Sequence, residues 1–273
     1  MAKKRLTRTH SILAVAVAVL LLALILIVIF RLLPETAAPE VHTGNPQTAV
    51  QHPIAIDPDL QNMGQPQTPE QVKGSEIPGY RDLDCVPATE LSNGLSIVRS
   101  GSYTGSFVED GSNAPCENVL ALVVTNNSDT FLEWAEIAVP VGDKTAYFKL
   151  SSLPVGQSLL VLEKTAMVYD PADTCGQAVL LSNSLGSKEF SLHRDVFSIT
   201  AADHVINLTN RSPQAISGNL AVYYKNASGG IYIGGITYVK TLPGGVAAGG
   251  VAQFICENYT VAGSEILFIV YEQ

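Results

Sequence analysis

One stretch near the N-terminus restricts the fold and the location of this chain more than any other. Residues 11–30 carry no charge, and residues 12–30 contain no polar side chain. A helix rises about 1.5 Å per residue, so this stretch spans roughly 30 Å, the thickness of the hydrocarbon core of a bilayer. A helix also satisfies every backbone hydrogen bond internally, as lipid requires. The stretch predicts a single transmembrane helix, which we place at 11–33.

The charges that flank this helix predict its orientation. Four lysines and arginines precede it, whereas Arg31 alone follows it before the first acidic residues. The positive-inside rule places residues 1–10 in the cytoplasm as a basic tail, and the rest of the chain outside. A cleaved signal peptide is the alternative, but its apolar region normally runs about 7–15 residues. We expect an uncleaved signal anchor in the cell membrane.

The chain beyond the anchor is acidic. Residues 1–33 hold five basic residues and no acid, which leaves 11 basic against 25 acidic residues and a net charge of −14. Because no basic surface is available to neutralise phosphates, nucleic acid is excluded as a partner. We expect the membrane as one partner, and an extracellular protein or glycan as another.

Residues 34–78 have the composition of a linker. Eight of the chain's 15 prolines lie there, together with many Gln, Thr and Ala residues. Such a segment buries too little apolar surface to offset the entropy of ordering, so we predict a disordered Pro/Gln-rich stalk. Fully extended at about 3.1 Å per residue, it would reach roughly 140 Å from the membrane.

The remaining residues predict a mainly β head. From Cys85 onward, short β-rich runs alternate with clusters of Asn, Ser, Gly and Pro at the spacing typical of sandwiches and barrels. An internal repeat is also visible, because residues 125–128 (TNNS) precede 153–156 (LPVG) as 209–212 (TNRS) precede 242–245 (LPGG). We predict two tandem immunoglobulin-like β-sandwich modules, at 79–188 and 189–273; one larger sandwich is the alternative.

The second repeat carries a resemblance to a known family. Residues 209–212, 221–226 (AVYYKN), Gly229 and 242–245 resemble the FxLYD-type domains of membrane-anchored bacterial surface proteins, mainly over residues 204–273. Residues 224–226 (YKN) depart from the pattern, in which Tyr-Asp is expected. The resemblance implies an immunoglobulin-like sandwich held behind a membrane anchor, and it supplies no catalytic site.

All four cysteines lie on the exported side of the anchor. Cys85, Cys116, Cys175 and Cys256 allow three disulfide connectivities, and no pair has the C-x-x-C spacing of a zinc or redox motif. Cys85 and Cys175 flank the first half, so we expect them to pair, with Cys116 and Cys256 linking the halves.

Two groups of residues are candidates for surface roles. Sequons predict glycosylation in a competent host at Asn126, Asn207, Asn226 and Asn258. Aromatic residues suggest a binding surface at Trp134, Tyr223, Tyr224, Tyr232 and Tyr238. For Trp134, the only tryptophan, we expect a buried place in the sandwich core, with an exposed binding platform as the alternative.

The sequence contains no recognisable catalytic motif, and we expect no cofactor and no metal. His193 and His204, beside Asp195 and Asp203, are the head's only histidines. We therefore predict a non-catalytic, membrane-anchored extracytoplasmic surface protein with an interaction or envelope-structural role. The alternative is an exported enzyme, or an enzyme accessory domain, with a site near these histidines.

Overall fold

A computed structural model of the protein describes residues 76–186 and 190–272. Within these ranges the chain is mainly β, as the sequence predicts, with several sheets and one short 3₁₀ turn at Ser92–Gly94. The strands are β1 (Tyr80–Asp82), β2 (Thr89–Glu90), β3 (Leu95–Phe107), β4 (Ala114–Asn126), β5 (Phe131–Val141), β6 (Lys144–Leu153), β7 (Ser158–Leu162), β8 (Val179–Gly186), β9 (Phe197–Ala202), β10 (Val205–Asn210), β11 (Leu220–Ser228), β12 (Ile231–Leu242), β13 (Val251–Ile255) and β14 (Ser264–Tyr271).

The strands form one large sheet and two small ones. The large sheet has the order β1-β3-β4-β7-β12-β11-β14, with β2 paired to β3. The small sheets are β6-β5-β8, from the first half of the head, and β13-β10-β9, from the second half. Of the described strand pairs, only β7 and β12 run parallel, in the middle of the large sheet.

Two main cores lie between the large sheet and the small ones, an arrangement consistent with a β-sandwich. The first core packs β3, β4 and β7 against β5 and β6, with Phe148 and Leu122 fully buried. The second packs β11 and β14 against β9, β10 and β13, around Phe197 and Tyr224. Each half therefore has a core of its own, although the two cores share a sheet.

Strand β4 is buried on both faces, which explains its unbroken apolar sequence. Its residues 120, 122 and 124 face the first core, whereas residues 119, 121 and 123 face a third cluster of buried side chains. That third cluster includes Ile77, Phe107 and Ile231. A strand covered on both sides needs apolar residues at every position, rather than at alternate positions.

The repeated sequence in the first half folds into a turn held by a buried asparagine. Asn126 is 0% exposed. Its Nδ2 donates to the carbonyl oxygens of Thr130 (3.0 Å) and Leu153 (2.9 Å), and its Oδ1 accepts the Ser128 N–H at 3.1 Å. Its carbonyl oxygen accepts the Gly156 N–H at 2.8 Å. The asparagine thus joins the turn after β4 to the Leu-Pro turn that follows β6.

The second half repeats this arrangement. Asn210 is also 0% exposed, and its Nδ2 donates to the carbonyl oxygens of Gln214 (2.8 Å) and Ala247 (3.2 Å). Its Oδ1 accepts the Ser212 N–H at 2.9 Å, and its carbonyl oxygen accepts the Gly249 N–H at 3.0 Å. The TNNS and TNRS segments therefore form equivalent turns. The LPVG segment at 153–156, however, is matched in space by residues 246–249 and not by LPGG at 242–245, because Asn210 bonds to Ala247 and Gly249.

These asparagines generate a paired stability prediction. Asn126→Ala and Asn210→Ala should each lower the free energy of unfolding by about 2–3 kcal/mol, because each leaves buried carbonyl and amide groups without partners. Urea denaturation of each variant measures the loss. Arg211→Ala is the matched control, because its side chain is exposed in the same turn, and should change stability by less than about 0.5 kcal/mol. Loss of stability in the control but not in Asn210→Ala would contradict this role of the asparagines.

The two halves meet where β7 pairs with β12. Tyr232 lies opposite Leu159 and Ile233 opposite Leu160 in the parallel ladder. All five residues of β7 are buried, so this strand is an interior strand of the large sheet. The large sheet therefore runs without a break from the first half of the chain to the second.

A half-buried carboxylate reinforces this junction. Glu109, two residues after β3, accepts the Leu162 N–H at 2.8 Å through Oε1. It also accepts the Gly235 N–H, at 3.0 Å through Oε1 and 2.8 Å through Oε2. Burial raises the pKa of Glu109 to about 7, although these backbone donors oppose the shift. The single side chain of Glu109 thus accepts hydrogen bonds from both β7 and β12.

A buried lysine accompanies this carboxylate. The Lys225 ammonium is fully buried and donates to the carbonyl oxygens of Gly234 (3.2 Å), Gly235 (3.2 Å) and Ile236 (2.6 Å). Burial lowers the pKa of Lys225 to about 7, and the charge of Glu109 opposes that shift. We refer to β7, β12, Glu109 and Lys225 together as the seam.

The division of the head into two tandem modules, at 79–188 and 189–273, stays a prediction. Its boundary at 188/189 falls among residues 187–189, outside the described residues. The predicted cytoplasmic tail (1–10), the transmembrane anchor (11–33) and the stalk up to residue 75 also lie outside them. Within the described ranges, no helix has the length and apolar character needed to cross a bilayer. Ile77, near the start of the first described range, is already buried in the head.

Candidate functional site

The tyrosines predicted to form a binding surface do not form one exposed row. Tyr224 is 1% exposed and Tyr232 is 4% exposed, so both are buried. Tyr238 stacks on Tyr224 with ring centroids 5.2 Å apart, and Tyr223 stacks on Phe268 at 4.2 Å. Tyr223 and Tyr224 are neighbours on β11 and therefore point to opposite faces of the sheet, so their rings lie in different surroundings.

Trp134 is exposed, so its expected place in the sandwich core was wrong. It is 45% accessible on β5, and a β-bulge at Glu133 separates it from the fully buried Leu132. Strict alternation would place Leu132 and Trp134 on the same face of the strand. The bulge turns Leu132 into the first core, whereas Trp134 keeps the outward direction set by alternation with the buried Ala135 and Ile137.

Trp134 lies on the solvent side of the sheet β6-β5-β8, which we call the outer face. The opposite side of this sheet packs on the first core. The register places the outer-face residues in three cross-strand rows: Ser151–Trp134–Ser184, Lys149–Glu136–Ser182 and Tyr147–Ala138–Val179.

Polar groups beside Trp134 are held in place by hydrogen bonds and charge pairs. The Ser184 hydroxyl donates to the Glu133 carboxylate at 2.8 Å. Glu136 pairs with Lys149 at 3.8 Å and with Lys164 at 3.6 Å. The Lys164 ammonium also lies 4.4 Å from the centre of the Tyr147 ring. The outer face thus presents one large exposed ring among carboxylate, hydroxyl and ammonium groups.

A cavity lies between segments from the two halves, and we call it the seam cavity. Its volume is about 450 Å³, within the range of small-molecule pockets. The first half contributes Phe131 and the turn after β6, and the second contributes residues before β9 and in β12 and β14. The lining residues are Phe131, Pro154, Val155, Gln157, Phe190, Leu192, Tyr232, Glu265, Ile266 and Leu267.

Glu265 is the one carboxylate in the lining of this cavity. Burial raises its pKa to about 7, and the neighbouring Tyr232 side chain opposes the shift. Burial and the neighbouring Glu265 in turn raise the pKa of Tyr232. The sequence offered no signal for either Glu265 or Glu109, because a single acid at the end of a β run resembles a solvated surface residue.

The histidine cluster proposed for an enzyme is not assembled as one polar pocket. The His193 ring packs edge-on against Tyr271, with centroids 5.0 Å apart. His204 lies in the turn between β9 and β10, and its Nδ1 lies 2.7 Å from the Glu257 carbonyl oxygen. The Asp203 carboxylate accepts a backbone N–H. Each group has a local partner of its own, and neither histidine lines the seam cavity.

The structure brings one predicted cysteine pair together. Cys85 and Cys175 both pack against the first core, and their thiols are close enough to interact electrostatically. Burial, followed by the neighbouring Cys85, raises the pKa of Cys175 to about 11. Cys116 instead packs on the third cluster and Cys256 is buried in the second core, so the predicted Cys116–Cys256 bridge is not formed. All four cysteines are free thiols in this structure.

This arrangement predicts which disulfide forms on oxidation. Treatment of the folded chain with glutathione disulfide should link Cys85 to Cys175, because disulfides need side chains already in contact, and leave Cys116 and Cys256 as thiols. Mass spectrometry of a non-reduced digest identifies the linked peptides. Cys85→Ser should abolish the link, whereas Cys116→Ser, the control, should leave it intact. A Cys116–Cys256 link in the folded chain would contradict the structure.

The predicted glycosylation sites are not all accessible. Asn126 is wholly buried and uses its side chain inside the fold, so its prediction as a surface acceptor was wrong. Asn207 accepts a hydrogen bond from Gln253, and Asn258 accepts one from Asn113. Asn207, Asn226 and Asn258 are half-buried.

The described part of the chain contains no ready-made metal site, because no three of its His, Cys, Asp or Glu side chains converge in a way that would hold an ion. No protein-family model matches the chain, and no curated protein matches it either. The resemblance to FxLYD-type domains and the immunoglobulin-like topology therefore remain predictions.

Proposed function

We propose that the chain is a non-catalytic, membrane-anchored surface protein whose β head binds an extracytoplasmic glycan through the outer face. The observation that carries this proposal is Trp134, which is 45% exposed on the outside of a well-packed sheet. Trp exposes a large apolar area to water at this site, and exposed aromatic rings of this kind concentrate binding energy in known interfaces.

The composition of the outer face favours a glycan over a protein. A sugar ring presents an apolar C–H face together with hydroxyl groups, and it needs a flat aromatic ring beside hydrogen-bonding partners. Trp134 has a serine on each side in its row, and the next row contains Lys149 and Glu136. The exposed aliphatic side chains of this sheet, Val179, Leu181 and Leu185, all belong to the edge strand β8 and not to the strand that carries Trp134.

The polar groups around Trp134 are also organised before any ligand arrives. Glu133 is fixed by Ser184, and Glu136 lies between two lysines. Ser151 is held by the Thr237 hydroxyl at 2.9 Å. Groups already fixed in one geometry lose less conformational entropy on binding, which raises affinity without additional contacts.

The anchor and the stalk complete the proposal and rest on the sequence. The apolar stretch at 11–33, the basic tail before it and the Pro/Gln-rich stalk at 34–78 would hold the head outside the cell membrane. The equivalent buried asparagines, Asn126 and Asn210, support an origin of the two halves as tandem immunoglobulin-like modules. The acidic surface of the exported part agrees with this location and with the absence of nucleic acid among the proposed partners.

The single tryptophan makes the proposal directly testable. Titration of the intact chain with soluble oligomers of N-acetylglucosamine and of glucose should change the fluorescence of Trp134, because a bound sugar displaces water from the indole ring. Trp134→Ala should weaken binding at least tenfold, measured by calorimetry, while urea denaturation shows a stability change within about 0.5 kcal/mol.

Val251→Ala is the matched control for this experiment. Val251 is 60% exposed on β13, in the other small sheet, so its truncation should leave glycan binding unchanged. Binding of the oligomers that survives in Trp134→Ala would contradict the proposal. So would a chain that binds neither oligomer and captures only a protein through this face.

A further inference from the structure

The seam cavity is an open pocket that combines aromatic and aliphatic side chains with the polar Gln157 and a single ionisable carboxyl group. Its walls come from both halves of the head, with the rings of Phe131, Phe190 and Tyr232 and the aliphatic side chains of β14. Glu265 is the only acidic residue in the lining, and the lining contains no basic residue. A carboxyl group in such surroundings is costly to ionise unless a positive charge accompanies it.

We propose that the seam cavity binds a small organic ammonium ion that carries an apolar body. The carboxylate of Glu265 receives the ammonium group, and the aromatic and aliphatic walls enclose the apolar body. This site is separate from the outer face, so it stands or falls independently of glycan binding.

The neighbours of Glu265 leave its charge available to a ligand. The Tyr232 side chain, from β12, lies beside the Glu265 carboxyl group and favours its ionised form. Lys225 lies opposite Glu265 in the β11–β14 ladder, but its ammonium is bonded to the carbonyl oxygens of β12. Tyr259 is close enough for the charge of Glu265 to raise its pKa, after the larger effect of burial. No cation among these neighbours neutralises Glu265.

The walls of the cavity suit the apolar body of the ligand. Phe131 and Phe190 pack with ring centroids 3.6 Å apart, and Phe268 packs against both. These ring contacts form one continuous apolar surface, against which the aromatic body of a ligand can pack. A volume of about 450 Å³ accommodates a ligand with one aromatic ring and a short amine chain.

A matched set of three probes tests the charge preference. Calorimetric titration of the intact chain at pH 8 should show that 2-phenylethylammonium binds at least tenfold more tightly than neutral 2-phenylethanol. The anionic 3-phenylpropanoate should bind more weakly than the alcohol. The three probes share a ring and a chain of similar length, so a difference among them reports the charge. Equal affinity for the three, or no binding by the ammonium, would overturn the proposal.

The pH dependence of ammonium binding gives a second test, because the direction of the expected change in affinity is defined. Glu265 has a raised pKa of about 7, so it is mostly neutral at pH 6 and mostly ionised at pH 8. An aliphatic amine stays protonated over this range. Affinity for 2-phenylethylammonium should therefore increase from pH 6 to pH 8, whereas affinity for 2-phenylethanol should not. A decrease over the same range would overturn the assignment of Glu265 as the ammonium's partner.

Three variants test whether Glu265 itself receives the ammonium group. Glu265→Gln keeps the size of the side chain and should lower the affinity for the ammonium to that for the alcohol. Glu257→Gln, at an exposed glutamate of the same half, should leave the affinity unchanged. Trp134→Ala should also leave it unchanged, because Trp134 does not line the cavity. Unaltered ammonium binding in Glu265→Gln, with the fold confirmed by its thermal melt, would overturn the proposal.

Discussion

The carboxylate of Glu109 holds the middle of the large sheet together. It accepts backbone N–H groups from Leu162 in β7 and Gly235 in β12, where the ladder itself pairs only two residues of each strand. A buried charge is costly to leave unpaired, and here the backbone donors and the nearby Lys225 provide the compensation. Gly235 is required for this approach, because a Cβ at that position would collide with the Lys149 carbonyl oxygen. The continuity of the head thus depends on a few polar contacts among apolar strands.

Both proposed sites depend on this continuity. The seam cavity exists because Phe131 and the turn after β6 face Tyr232 and Glu265 from the other half. On the outer face, Ser151 is held through Thr237, a residue of β12, so the second half also supports the row that contains Trp134. A fixed junction keeps the lining residues in register, and pre-organised sites bind more tightly than sites that form on binding. Binding and fold are therefore linked through the same strands.

Local sequence patterns predict the β class and the two asparagine turns, because these follow from residue type and spacing. They do not predict the state of the cysteines, since all four are free thiols where two disulfides were expected. They misplace Trp134 only where residue type is preferred to alternation, because alternation with the buried Ala135 and Ile137 puts Trp134 on the outer face. They also miss Glu109 and Glu265, whose burial depends on strands far away in the chain. The parallel pairing of β7 with β12 joins Leu160 to Ile233, and no local pattern states which strands become neighbours. The two candidate sites could therefore not be predicted from local sequence patterns, because both are built from such long-range contacts.

Native-state hydrogen exchange on the intact chain tests the central claim, that the seam joins the two halves into one cooperative structure. The amides of Leu162 and Gly235, which donate to Glu109, report the junction, and those of β4 and β11 report the two cores. If the seam is integral, the Leu162 and Gly235 amides exchange with the same opening free energy as the amides of β4 and β11. Rapid exchange at the seam, with β4 and β11 both still protected, would contradict this claim and show two halves that open independently.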